Sequence, residues 1–231
     1  MRVARSEKIP RWLVLGLVVA FSVVDVTTAP GGMVINFENA GAPCVFANTV
    51  ALRNEYAELG VVFASGTGAN DGFAVLNQCA NFGVTGFSPP NFLAWNENAL
   101  YLNGGIPRGP EVILFSPAVT SVQINAGSGI SSGQVTMEAF NVMGASLGST
   151  SIALQPAMQT LQISASGIAK VVITVPVGSA GALDDLAFVE SSTGIPTLSQ
   201  WGLVGMVSLL MGVAVLAMRR RLSPRRINRA A

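Results

Sequence analysis

The chain has 231 residues, half of them hydrophobic, with two cysteines, no histidine and a formal charge of +1. That near-neutral sum conceals a segregation: residues 30–194 hold three basic residues (Arg53, Arg108, Lys170) against ten acidic ones, a net charge of −7, and all other basic residues lie in the two ends. An acidic middle excludes nucleic acid as a partner, since phosphate binding needs clustered Lys and Arg, and the lack of histidine argues against zinc and other transition-metal sites.

The N-terminus reads as a signal peptide spanning residues 1–29. Arg2, Arg5, Lys8 and Arg11 form a basic region, residues 12–24 are an apolar stretch of 13, and Thr27-Thr28-Ala29 offers small residues for cleavage. Such a stretch is too short for a membrane span. Residues 30–190 are one domain's worth of chain, enough to enclose a core. Export would place Cys44 and Cys79 in an oxidising compartment, where the even count suggests a disulfide.

Within the domain there is no amphipathic helix pattern. Short runs rich in Val, Ile, Phe and Thr alternate with Gly, Ser, Asn and Pro. Strands are predicted at 34–39, 60–64, 111–115, 119–125, 134–141, 149–154, 160–164, 169–175 and 182–190. Val135, Met137 and Ala139 share one face while Thr136 and Glu138 take the other, and Val171-Val172-Ile173 is apolar on both, as in a central strand. Nine short strands at this spacing predict an all-β fold, a single antiparallel β-sandwich of jelly-roll type. Residues 64–109 read instead as long irregular loops carrying Phe73, Phe82, Phe87, Phe92, Trp95 and Tyr101. Such rings either cap the sandwich or offer a surface to a ligand, polysaccharide being the natural class.

Catalytic patterns are few. Gly144-Ala145-Ser146-Leu147-Gly148 fits a serine-hydrolase elbow, but the chain lacks a histidine base and the surroundings read as a β-hairpin. The glycines from Gly127 to Gly133 miss the dinucleotide spacing and precede no helix. Glu97, Glu111 and Glu138 are carboxylates without a spacing that selects an acid–base pair. No catalytic residue is assigned, and the chain is read as a non-enzyme.

For metals, oxygen ligands remain. Glu38 ends the first predicted strand and Asp184 and Asp185 open the last; terminal strands of a sandwich often pair, so these three carboxylates are the candidate Ca²⁺ set. The Phe-Glu near the start and the Leu-Asp-Asp-Leu near the end also resemble exported jelly-roll modules that hold a structural Ca²⁺. Asn70-Asp71-Gly72 and Asn96-Glu97-Asn98 are alternative Ca²⁺ loops without EF-hand spacing.

After a short polar linker at 191–194 comes Ile195-Pro196-Thr197-Leu198-Ser199-Gln200-Trp201-Gly202, then an uncharged apolar run over 202–218, then Arg219-Arg220-Arg221. The run reaches about 26 Å as a helix, the lower edge of a membrane span. Trp201 suits the headgroup layer, and the arginines that follow predict a cytoplasmic tail at 219–231, with residues 30–194 outside. The order of parts in 195–231 resembles the IPTL-CTERM sorting signal of Gram-negative bacteria: an Ile-Pro-Thr-Leu-Ser-(Glu/Gln)-Trp-Gly signature, a transmembrane helix and an Arg cluster. The resemblance implies recognition by an exosortase-like processing enzyme, a precursor held in the inner membrane with its domain in the periplasm, and transfer to the cell surface or beyond. The chain is therefore read as an exported structural or binding protein of the cell envelope. A polysaccharide-binding module is the alternative, and an envelope hydrolase is the third reading.

Overall fold

Two strands of unusual length decide the architecture. In the computed structural model, which describes residues 32–65, 67–191 and 205–214, β5 (Glu111–Gly127) has 17 residues and β8 (Gln159–Thr174) has 16. They pair antiparallel along most of their length, and both take part in two layers. The other strands are β1 (Met33–Ile35), β2 (Val61–Ser65), β3 (Ala74–Asn77), β4 (Asn91–Asn96), β6 (Gln134–Phe140), β7 (Ser146–Ala153) and β9 (Ala180–Glu190).

The first half of β5 lies between β2 and the second half of β8, which continues into β6 and β7. The second half of β5 lies between the first half of β8 and β9, which continues into β4 and β3, with β1 on the far end of β9. The ladder is thus one antiparallel network of nine strands, order β3-β4-β9-β5-β8-β6-β7 with β1 and β2 attached, folded over into two layers. Val61, Phe63, Ile113, Met137 and Ile173 of one layer meet Leu93, Trp95, Ile124, Leu161 and Leu186 of the other in a single apolar core. That is a β-sandwich.

Four sequence expectations need correction. The pairs 111–115 with 119–125, and 160–164 with 169–175, are each one continuous strand. Ser116-Pro117 reads as a turn because Pro has no N–H to give to a ladder, yet β5 carries it as an irregularity, with register shifts between Leu114 and Ser121. The strand expected at 34–39 stops at Ile35. The stretch 64–109, expected to be irregular, contains the end of β2 and all of β3 and β4.

β3 and β4 escaped detection because they do not alternate: Ala74, Val75 and Leu76 are all buried, as are Phe92, Leu93, Ala94 and Trp95. One face enters the main core. The other lies beneath a second cluster, in which Phe46, Val84 and Tyr101 from the loops cover Ala74, Leu76, Phe92, Ala94 and Ala182. A strand buried on both faces loses its period-2 signature. Gly181 is required where this sheet meets Trp95, since a Cβ there would come within 2.5 Å of the indole ring.

The hairpin expected around Gly144 is present: Asn141 N–H donates to Ala145 O and Gly144 N–H to Asn141 O, joining β6 to β7. Residues 205–214 are helical, and among the described residues no helix is long and apolar enough to cross a membrane. The expected signal peptide 1–29, the signature 195–202, the flanks of the apolar run 202–218 and Arg219–Arg221 lie outside the described residues.

Candidate functional site

The residues with unexplained chemistry gather where β1 leaves β9. The register Ile35↔Leu186 carries the chain past Asp185 and Asp184 as it runs through Phe37 to Glu38. β9 holds one extra residue here, since Gln123 faces Ala187 but Asn125 faces Asp184. Asp185 absorbs it with φ of 51°, and Phe37 opposite has φ of 63°, two of three non-glycine residues with positive φ among those described. The bulge turns two consecutive carboxylates to one partner, which regular alternation forbids.

That partner is the 88–91 loop. Ser88 donates its N–H (2.6 Å) and Oγ (2.9 Å) to Asp184 Oδ2, and its Oγ also lies 3.0 Å from Asp185 Oδ1. At the other end of the loop, Asn91 N–H donates to Glu38 Oε1 at 3.1 Å, and Asn91 Nδ2 donates to the carbonyls of Phe37 and Ala40. Asp185 Oδ2 accepts from Asn125 Nδ2 at 3.3 Å. Asp184 is wholly buried, and burial pushes its pKa up to about 6, against the pull of the Ser88 hydrogen bonds. Two oxygens in this node, Glu38 Oε2 and Asp184 Oδ1, are buried without a partner. Among the described residues the only salt bridge is Arg108–Asp71, at 2.8 Å, so no side-chain cation answers them.

The expected three-carboxylate set is not assembled as such. Among the described residues no three Asp, Glu, Cys or His side chains gather closely enough to share a metal ion. The extra residue in β9 is the reason: it turns Asp185 onto Ser88 and Asn125, which supply both of its oxygens with donors. The alternative Ca²⁺ loops are also occupied by internal partners. Asp71 is held by Thr67, the Ile106 N–H and Arg108, and Glu97 accepts from the Gly178 N–H.

A second polar cluster, not foreseen from sequence, lies under Gly72. Arg53 spends its guanidinium on the carbonyls of Leu52, Ala69 and Asp71. Glu111, wholly buried, accepts the Phe73 N–H at 2.6 Å through Oε2 and leaves Oε1 without a partner. Tyr101 OH donates to the Gly72 carbonyl. Desolvation pushes Glu111 up to about 8, against the Phe73 hydrogen bond and the Arg53 charge. The alternation Glu111, Ile113, Phe115 already places this carboxyl on the core-facing side, which is the signal that could have found it.

The aromatic residues of 64–109 are mostly interior. Phe73, Phe92 and Trp95 have no exposed surface, Trp95 Nε1 donates to Ser179 Oγ at 2.8 Å, and Phe73 stacks on Trp95. Phe73, Phe92 and Trp95 are therefore not available to a polysaccharide. Phe82 instead lines an apolar cleft of about 330 Å³ with Val45, Phe46, Leu76 and Leu100. Cys44, on its rim, is joined to Cys79 in a disulfide with Cα atoms 5.5 Å apart. Of the three glutamates weighed for glycoside chemistry, Glu111 is sealed from solvent and Glu138 accepts from Ser146 on the β6–β7 hairpin. Ser146 of the Gly-rich elbow is thus bonded to a carboxylate on an exposed hairpin, not to a base in a pocket.

Residues 193–221 match the model of the IPTL-CTERM motif. No curated protein matches the chain. Among solved structures, the sandwich is similar to the K2 cleaved adhesin domain of Lys-gingipain, at 12% identity and TM-score 0.42, over 69% of this chain and 99% of that one. The K1 cleaved adhesin domain of Lys-gingipain from Porphyromonas gingivalis W83 gives the same identity and score over 70% and 99%. A family 11 carbohydrate-binding module from Clostridium thermocellum, solved with a mixed-linked tetrasaccharide, aligns at 12% identity and TM-score 0.33 over 71% and 98%.

Proposed function

We propose that this chain, a surface protein carrying an IPTL-CTERM sorting signal, is exported through its N-terminal leader and held in the inner membrane by the apolar run 202–218. An exosortase-like enzyme then processes it near the signature 195–202. Its sandwich, read as jelly-roll-like, serves as a structural or binding module of the envelope, with no catalysis of its own. The observation that carries the reading is the motif match over 193–221, which begins three residues after β9 ends at Glu190. The supporting context is chemical: a domain with a net charge of −7 and a paired Cys44–Cys79 suits an oxidising compartment outside the cytoplasm.

The test is maturation in cells. Pro196→Ala and Trp201→Ala change the signature and leave the apolar run intact. Both variants are expected to accumulate as full-length protein in the membrane fraction, while the wild-type chain appears shortened outside it. If both variants mature like wild type, the signature is not being read and the segment is a plain anchor.

A further inference from the structure

We infer that β7 is a free sheet edge through which two copies of this chain pair, strand to strand and antiparallel. The inference does not depend on how the chain is sorted. β7 (Ser146–Ala153) ends its layer and is paired only with β6. The other outer strands are covered or short. On β2 the Phe63 N–H donates to the Arg53 carbonyl, and on β3 the Asn77 N–H donates to the Pro43 carbonyl, so preceding loops occupy both of those edges. β1 is three residues long. Among the described residues no backbone group outside β6 bonds to residues 146–153. The sole side chain from outside β6 that reaches this backbone is Gln159, whose Nε2 lies 3.5 Å from the Ala153 carbonyl at the strand's end. The eight residues of β7 therefore present N–H and C=O groups on every second position along about 26 Å of open edge.

Sheet edges are normally guarded by charge, proline or brevity, and β7 has none of these. Its sequence, Ser-Leu-Gly-Ser-Thr-Ser-Ile-Ala, is uncharged, and no charged residue occurs anywhere from Ala139 to Ala169. The flanking carboxylate, Glu138 on β6, is bonded by Ser146 Oγ. Charge selects a second copy as the occupant. Two modules of net charge −7 repel across most of their surface, and the uncharged 139–169 stretch is where they approach at least electrostatic cost. An antiparallel ladder is also self-complementary about a two-fold axis, so one edge serves both partners and the assembly closes as a dimer. Ser149, Ser151 and Ala153 are exposed on the strand and too small to obstruct a neighbour. Val142 and Met143, 87% and 85% exposed at the β6–β7 turn, add apolar surface at one end of it.

One ladder of this length is smaller than a standard interface, so the pair should be weak, with a Kd of about 10–100 µM. The full-length chain in detergent is followed by sedimentation velocity from about 1 to 300 µM, a range that brackets that Kd. The wild type is expected to pass from monomer to dimer, and amide exchange within residues 146–153 to slow as it does. Ser149→Glu combined with Ser151→Glu adds two negative charges to each edge and should raise the Kd at least about tenfold with the melting temperature unchanged. Under mild oxidation, at least one of Ser149→Cys, Thr150→Cys and Ser151→Cys should link two chains faster than Ser164→Cys, which is exposed on β8 away from this edge. The cysteine variants carry the test if the double variant does not fold. The proposal is overturned if the wild type stays monomeric throughout, as it would were the edge reserved for another protein's strand. It is equally overturned if the double variant associates like wild type, which would place the contact elsewhere in the chain, or if Ser164→Cys links as fast as the three β7 positions.

Discussion

Replacing Glu111 by Gln should stabilise the protein, and by an amount that grows with pH. In the folded chain the Glu111 carboxyl is sealed under Gly72, and desolvation raises its pKa from 4.5 to about 8, despite the Phe73 N–H and the nearby Arg53 cation. A carboxyl raised in this way favours the folded state while it is neutral in both states. Above pH 4.5 the unfolded chain ionises it freely and the folded chain does not, so stability falls by about 1.4 kcal/mol per pH unit until pH reaches about 8. Gln mimics the neutral acid and removes that slope. Between pH 5 and pH 7 the variant should therefore gain up to about 2–3 kcal/mol on wild type, less if the site relaxes. Asp184, also raised, and Asp71, held low, titrate in both proteins and cancel in the comparison. Urea unfolding of both chains at pH 5, 6 and 7 supplies the measurement. A gap between variant and wild type that stays constant over that range would refute a neutral Glu111 in the folded state.

Two further outcomes follow from the core and its staple. Mass spectrometry of unreduced peptides from exported protein should recover a Cys44–Cys79 link; because the bridge closes a loop spanning 35 positions, Cys79→Ser should cost about 4 kcal/mol of unfolding free energy on the chain-entropy model. Ser179→Ala removes the acceptor of the buried Trp95 Nε1–H and should cost about 1–3 kcal/mol by urea denaturation, whereas an exposed serine such as Ser149 should change stability by less than about 0.5 kcal/mol.

What the sequence revealed and what it hid divide along physical lines. β6 was legible because Val135, Met137 and Ala139 are buried while Gln134 faces solvent, a clean period of two over one half-buried layer. β3 and β4 were illegible because a loop layer covers their outer face, so local polarity no longer reports which side is inside. β5 and β8 each read as two strands in sequence, since Pro117 and Gly167 are turn residues in isolation and only the neighbouring ladders carry the strand through the register shifts there. Glu38, Asp184 and Asp185 were picked out by pairing of terminal strands, which β1 and β9 do provide. The roles within that trio were not readable, because they depend on a single inserted residue in β9. Most aromatic residues of 64–109 were weighed as ligand contacts or caps. Their burial follows from their place in the two apolar clusters that lie on either face of β3 and β4.

The pairing of β1 with β9 also fixes how the module is presented. Met33 faces Phe188, two residues from the end of β9, so both connections to the rest of the chain leave the sandwich at the same end. β9 has 11 residues, about 36 Å of strand, and its other end is bordered by the loops at 97–105, 128–133 and 175–179. At that end the 97–105 loop contributes Ala99 and Leu100 to the apolar cleft. The near end is held more weakly, because β1 contributes only three paired residues. The next anchors along the chain are Phe37, buried in the main core, and Glu38, through Asn91, and Asp184 and Asp185 hold the same loop from β9. The node therefore fastens the first strand to the last across the 88–91 loop. Loss of either Glu38 or Asp184 should loosen β1 before it disturbs the core, seen as faster exchange of the β1 amides bonded to β9 with little change at Ile124 and Leu161. Equal acceleration in β1 and at Ile124 and Leu161 would mean that the node contributes nothing local.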